Sequence, residues 1–183
     1  MKVNATPIQG VFMVETTPST DPGETFPQFF NAGEMVQAVG SRAIIQVNFS
    51  MTNAKGAIRG LHFQKPPHAE IKMVRCLKGS VFDVAVDLRK GSPTFLQWHA
   101  EELSGDNRRM LVIPEGCAHG FQTLEPFSEL LYFHTHPYTR EAEGGFRHDD
   151  PSLGIRWPLP ATDLSERDKN HPLITRVFTG IAL

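Results

Sequence analysis

From Ile44 to Met51 polar and apolar residues alternate, so Gln46, Asn48 and Ser50 share one face of an extended chain and Val47, Phe49 and Met51 the other. Such a polar row either faces solvent or lines a pocket. Further short extended stretches follow: Arg59 to Gln64, Ile71 to Leu77, Val81 to Val86, Thr94 to Glu101, Arg108 to Ile113, Ala118 to Leu124 and Ser128 to His134. Turn residues separate them, at Lys78-Gly79, Gly91-Ser92-Pro93, Ser104-Gly105-Asp106-Asn107, Pro114-Glu115-Gly116 and Glu125-Pro126. Short strands at regular spacing, with hardly any helical period between them, predict an all-β, antiparallel jelly-roll barrel with a few short helices.

Before the alternating stretch, Val11 to Glu15 reads as an N-terminal strand, and Asn31 to Gly40 as a short helix with Met35, Val36 and Val39 on its apolar face. Phe26, Phe29 and Phe30 suit a core or an interface. After the last strand the chain is irregular and proline-rich, with a helical turn expected where Ser165 can act as N-cap. A two-residue loop at Lys78-Gly79 would pair Val74 with Asp83 and Lys72 with Ala85, making Lys72 and Asp83 diagonal neighbours on one face. A buried aspartate needs a cation, so the two charges would explain each other, as a structural pair or as part of a site.

The 183 residues suit one domain spanning 1–183. Charged residues are 21% of the chain and the net charge is −2, which supplies no broad basic field for nucleic acid. No apolar run approaches the ~20 residues of a membrane span, and Met1-Lys2-Val3-Asn4 lacks a signal-peptide core, so no membrane partner and a cytoplasmic location are expected. Cys76 and Cys117 read as free thiols of a reducing compartment.

Arg59, His62, Lys72, Asp83, His119 and Tyr132 come from separate strands of one barrel and carry its unusual polar chemistry. Tyr132 is informative because Phe occurs 13 times and Tyr only twice. Two readings are open. One is a transition-metal site: Pro114-Glu115-Gly116-Cys117-Ala118-His119 resembles the second motif of the cupin jelly rolls, yet no H-x-H pair stands in the first motif, and His134-x-His136 lies beyond it. The other needs no metal: a histidine base, a lysine that stabilises a developing oxyanion and a tyrosine acid suit proton abstraction alpha to a carbonyl. Arginine and histidine at the same mouth suit a phosphate.

Arg59-Gly60-Leu61-His62-Phe63-Gln64, Gly79 through Phe95, Pro114-Glu115-Gly116-Cys117-Ala118-His119-Gly120-Phe121 and Asp150-Pro151 through Trp157-Pro158 resemble, in order and spacing, the dTDP-4-dehydrorhamnose 3,5-epimerase family. The resemblance runs from about Val11 to Asp168. It implies a cupin-like jelly-roll homodimer, with the N-terminal strand exchanged between copies, that needs no metal or other cofactor and acts on a nucleotide-diphosphate sugar.

By the same resemblance His62 is the base and Asp168 its carboxylate partner, Lys72 stabilises the C4 enolate oxygen and Tyr132 protonates from the opposite face. Arg59, His119, Gln46 and Asn48 fall on diphosphate and nucleoside contacts, Glu143 on a further substrate contact and Tyr138 on the residue that stacks on thymine. The family's Asp-x-Arg-Gly-x-Phe-x-Glu stretch reads here Asp21-Pro22-Gly23-Glu24-Thr25-Phe26-Pro27-Gln28. Phe26 and Gln28 therefore stand at substrate-binding positions, but the family's arginine is Gly23 and its acid Gln28. Losing one charge-assisted phosphate contact costs about 1.5–3 kcal/mol, so either substrate binding is weaker, Arg42 or another residue compensates, or the nucleotide carrier differs.

Overall fold

The computed structural model describes residues 1–17, 19–21 and 24–183, with side chains described outside 18–26. The strands are β1 (Lys2–Ala5), β2 (Phe12–Glu15), β3 (Ser19–Asp21), β4 (Glu24–Phe26), β5 (Gln46–Thr52), β6 (Ile58–Gln64), β7 (Lys72–Lys78), β8 (Ser80–Asp87), β9 (Trp98–Ser104), β10 (Arg109–Ile113), β11 (Cys117–Thr123), β12 (Ser128–His134) and β13 (Glu143–Gly145). Two short helices are α1 (Val36–Val39) and α2 (Glu166–Lys169). One antiparallel sheet runs β1-β2-β10-β7-β12-β5 and a second β13-β6-β11-β8-β9, while β3 and β4 pair with each other. Facing antiparallel sheets that exchange consecutive strands make the expected jelly roll. Among the described residues no helix is long and apolar enough to cross a membrane.

Side-chain alternation sorts each strand into an inward and an outward row. Val74 and Cys76 of β7, Val81 and Ala85 of β8, Leu111 and Ile113 of β10, Phe121 of β11 and Leu130 of β12 meet between the sheets in one buried cluster. Each of the larger aliphatic and aromatic side chains among them contributes about 1.5–3 kcal/mol by leaving water. The outward rows are covered separately. Met73, Met110, Val112 and Phe133 pack under α1, whose Met35 and Val39 are buried and whose Val36 is exposed. Leu61, Phe63, Val84 and Val86 pack under the C-terminal segment, with Trp157 and Phe178 against them.

The hairpin expected at Lys78-Gly79 does not form a sheet ladder. Gly79, at φ +76°, turns the chain out of one sheet and into the other, so β7 pairs with β10 and β12 while β8 pairs with β9 and β11. Lys72 and Asp83 are therefore not neighbours on one ladder. Lys72 lies opposite Ile113 and His134 and pairs with Glu70 at 3.6 Å, whereas Asp83 accepts from His119.

Candidate active site

The inward rows that are apolar at one end of the sandwich become polar at the other. There Asn48 and Ser50 of β5, Lys72 of β7, and Tyr132 and His134 of β12 face Arg59 and His62 of β6 and His119 of β11 across a cavity of about 610 Å³. The alternating stretch of β5 thus borders the cavity, and its apolar residues Val47, Phe49 and Met51 are each more than half exposed, with Asn48 exposed beside them.

His62 is positioned by three sequence features. Gly60 lets β6 run against β11: its Cα carries φ +116°, and an added Cβ would stand 2.6 Å from the Gly120 Cα. Ser165 caps α2 by accepting from the Asp168 amide at 3.0 Å, as expected from sequence, which fixes Asp168 on the first turn. The fully buried Asp168 carboxylate then accepts from His62 Nε2 at 2.6 Å and from the Gly60 amide at 3.3 Å. Burial alone would raise the Asp168 pKa, but the His62 contact, the Ser165 side chain and the Gly60 amide bring it down to about 2. An ionised Asp168 requires the proton on His62 Nε2, which leaves Nδ1 as the basic nitrogen. Burial lowers the His62 pKa against the pull of Asp168, with Arg167 and Lys72 adding to the lowering.

Tyr132 stands on the other sheet. Its hydroxyl shares a 3.2 Å hydrogen bond with Ser50, and burial pushes the phenol well above its ordinary range. His119, whose ring meets Tyr132 edge-on at 6.2 Å, donates from Nε2 to the buried Asp83 at 2.9 Å. Arg59 also reaches the cavity, its guanidinium tied to Asp163 at 2.7 Å. At the rim, Gln46 donates to Asn48 and accepts from the Tyr138 amide, the Tyr138 hydroxyl donates to Glu143, and Arg167 donates to Glu143 at 3.0 Å.

His62, Lys72, Asp168, Arg59, His119, Asn48 and Tyr132 therefore converge, with Gln46, Tyr138 and Glu143 linked to them at the rim. Gln28 is exposed, while the side chain of Phe26, at the end of β4, and the whole of Gly23 lie outside what is described. Arg42, the possible substitute for the missing arginine, is held at 2.8 Å by Glu115. Sequence reading missed Glu70, Ser50 as partner of Tyr132 and Arg167 at 3.2 Å from His62 Nε2, and it put His134 on the Tyr132 strand without giving it a part in the site. The β5 alternation already put Ser50 in the right row; nothing local marked the others. Among the described residues, His62, Asp168 and His171 have ligand atoms within 4.8 Å of one another and could share a cation, with the short His62–Asp168 contact spanned by a proton.

A jelly roll that brings a carboxylate-backed imidazole and a buried phenol to one cavity from opposite sheets has the parts of an acid–base site in a cupin-like fold. The family model for dTDP-4-dehydrorhamnose 3,5-epimerase matches residues 5–176. The enzyme of that name from Salmonella typhimurium is 42% identical over 180 residues, 97% of this chain and 98% of its own. The solved structure of the Elizabethkingia anophelis dTDP-4-dehydrorhamnose 3,5-epimerase superposes with a TM-score of 0.91 at 36% identity, covering 97% of this chain and 98% of that one. That of the Legionella pneumophila dTDP-6-deoxy-D-glucose-3,5-epimerase, solved with dTDP-4-keto-L-rhamnose, gives 0.88 at 38%, covering 94% and 92%. The chain belongs to the dTDP-4-dehydrorhamnose 3,5-epimerase family.

Proposed function

We propose that this protein inverts C3 and C5 of dTDP-4-dehydro-6-deoxy-D-glucose to give dTDP-4-dehydro-L-rhamnose. The observation that carries the reading is the His62–Asp168 pair facing Tyr132 across one cavity. His62 Nδ1 takes the proton alpha to the C4 carbonyl, and Asp168 holds the resulting imidazolium. Lys72 stabilises the enolate oxygen, a contact whose removal typically costs 10²–10³ in rate for groups of this kind. Tyr132 gives its phenolic proton to the opposite face of the carbon, which inverts it. A high phenol pKa suits this role, since the group stays protonated until a carbanion-like carbon presents itself.

Arg59 and His119, with Gln46 and Asn48, hold the diphosphate and nucleoside, Tyr138 stacks on the base, and Glu143 meets the substrate at the rim together with Phe26 and Gln28. The reaction calls for no cofactor. The chain acts as one jelly-roll domain in the cytoplasm, and two copies associate. Ile45, Val47, Phe49 and Met51 support the association, because each is more than half exposed on or beside the edge strand β5. Exchange of the N-terminal strand between copies is part of the same reading.

Incubation with dTDP-4-dehydro-6-deoxy-D-glucose in deuterium oxide tests the activity. Label at both C3 and C5 is the expected result; label at C3 alone would make the protein a monoepimerase, and no label at either carbon would refute the reading.

A further inference from the structure

Three imidazoles line the cavity, and each has a buried carboxylate behind it. His62 with Asp168 and His119 with Asp83 have roles in the proposed reaction. The third pair, His134 with Glu70, has none. His134 Nδ1 donates to Glu70 Oε2 at 2.7 Å, and Asn48 Nδ2 donates to His134 Nε2 at 3.4 Å. The ring thus turns Nδ1 to Glu70 and Nε2 to Asn48 on the cavity side. Glu70 also lies 3.6 Å from Lys72. Burial alone would raise the Glu70 pKa; the His134 hydrogen bond and Lys72 bring it below the usual range, so the carboxylate is held ionised.

His134 follows Tyr132 by two residues on β12, so both side chains belong to the inward row, and their rings stack with centroids 6.2 Å apart and planes 21° apart. This matters because an inversion leaves Tyr132 as a tyrosinate in a site that strongly disfavours that form. A second inversion cannot begin until the phenol is restored.

We propose that the His134–Glu70 pair is the proton relay that returns Tyr132 to its phenol form between inversions, a role that rests on the reading of Tyr132 as the acid. When the enolate carbon takes the Tyr132 proton, a C–H bond forms and the O–H bond breaks. His134 takes a proton from solvent at Nε2, and the imidazolium is held by ionised Glu70. It then passes that proton to the tyrosinate of the ring stacked on it, through a water of the cavity. The ring returns to neutral, and the proton that His62 removed from the substrate leaves to solvent, so nothing is consumed. The pair acts on Tyr132 and not on the sugar.

The test follows deuterium at C3 and C5 separately, by quenched time course, in wild type, His134→Ala and Glu70→Gln, with dTDP titration and thermal melting as controls of folding. The expected result is a fall of at least tenfold in the ratio of second to first incorporation in His134→Ala, a smaller fall in Glu70→Gln, and recovery of the ratio when imidazole is added to His134→Ala. A purely structural role would slow both carbons together and would not respond to imidazole. An unchanged ratio in both variants, or no recovery with imidazole, overturns the relay alone. A wild-type protein that labels neither carbon overturns the epimerase reading, and the relay with it.

Discussion

Replacing Asp168 by Asn changes one atom and removes the charge behind the proposed base. The Asp168 pKa of about 2, against an ordinary value of 3.8, measures how strongly the folded site prefers the ionised carboxylate. At 1.36 kcal/mol per unit this is about 2 kcal/mol, and much of it is attraction to His62, the first contact that opposes burial. Because proton abstraction turns His62 into a cation, the transition state loses a comparable amount, or roughly 30-fold in rate. A second effect adds to this. An Asn that keeps its oxygen on the Gly60 amide turns its NH₂ toward His62 Nε2, which moves the ring proton to Nδ1 and blocks the basic nitrogen. The expected fall in deuterium exchange in Asp168→Asn is therefore between about 30-fold and the 10²–10⁴-fold range of a lost general base. Affinity for dTDP, read by calorimetry, should stay within about twofold, since the carboxylate is fully buried behind His62. Exchange within threefold of wild type would show that Asp168 does not support the base.

Tyr132→Phe should retain proton loss at the first carbon but lose net inversion, so that label returns with the original configuration; product stereochemistry by NMR decides it. Phe49→Glu places a charge in the exposed apolar row of β5 and should shift the protein from dimer to monomer in light scattering, whereas an unchanged mass would remove this face from the interface. Asp87, fully buried, accepts from Arg89, Ser92 and Thr94, which together bring its pKa to about 2 against the opposing effect of burial. A lowered folded pKa means stability that is complete above about pH 5 and lost as pH falls through about 4 to 2, here about 2 kcal/mol. About 1 kcal/mol of it is gone by pH 3, so urea unfolding at pH 7 and pH 3 should show a loss about 1 kcal/mol larger in wild type than in Asp87→Asn.

The strands were readable because their period is local. The alternation of β5 and the turn residues between later strands gave the jelly roll, and Ser165 gave the start of α2, since a cap needs only its own neighbourhood. The Lys72–Asp83 pairing failed for the opposite reason. Whether a chain leaving a turn continues in its own sheet or crosses to the facing one is decided by which neighbours, β10 and β12 or β9 and β11, are already in place. No residue near Gly79 encodes that choice. The same crossing left Glu70 invisible: it precedes β7 in an irregular stretch, and only the β7–β12 register, with Lys72 opposite His134, brings it to His134.

In a sandwich the inward row of an edge strand such as β5 is normally apolar, because it closes the core. Here the inward row is Gln46, Asn48 and Ser50, while Val47, Phe49 and Met51 face out. A strand built this way contributes little to the stability of an isolated chain: its polar face borders a wet cavity and its apolar face is left in water. Its energetic return comes only when something covers the outer row. Because Asn48 and Ser50 hold His134 and Tyr132 from the inner row, covering the outer row also fixes the partners of the proposed acid and its relay. Association of two copies through β5 would therefore stabilise the fold and order the cavity at once, so that Phe49→Glu, some distance from any proposed proton transfer, should lower the exchange rate along with the mass.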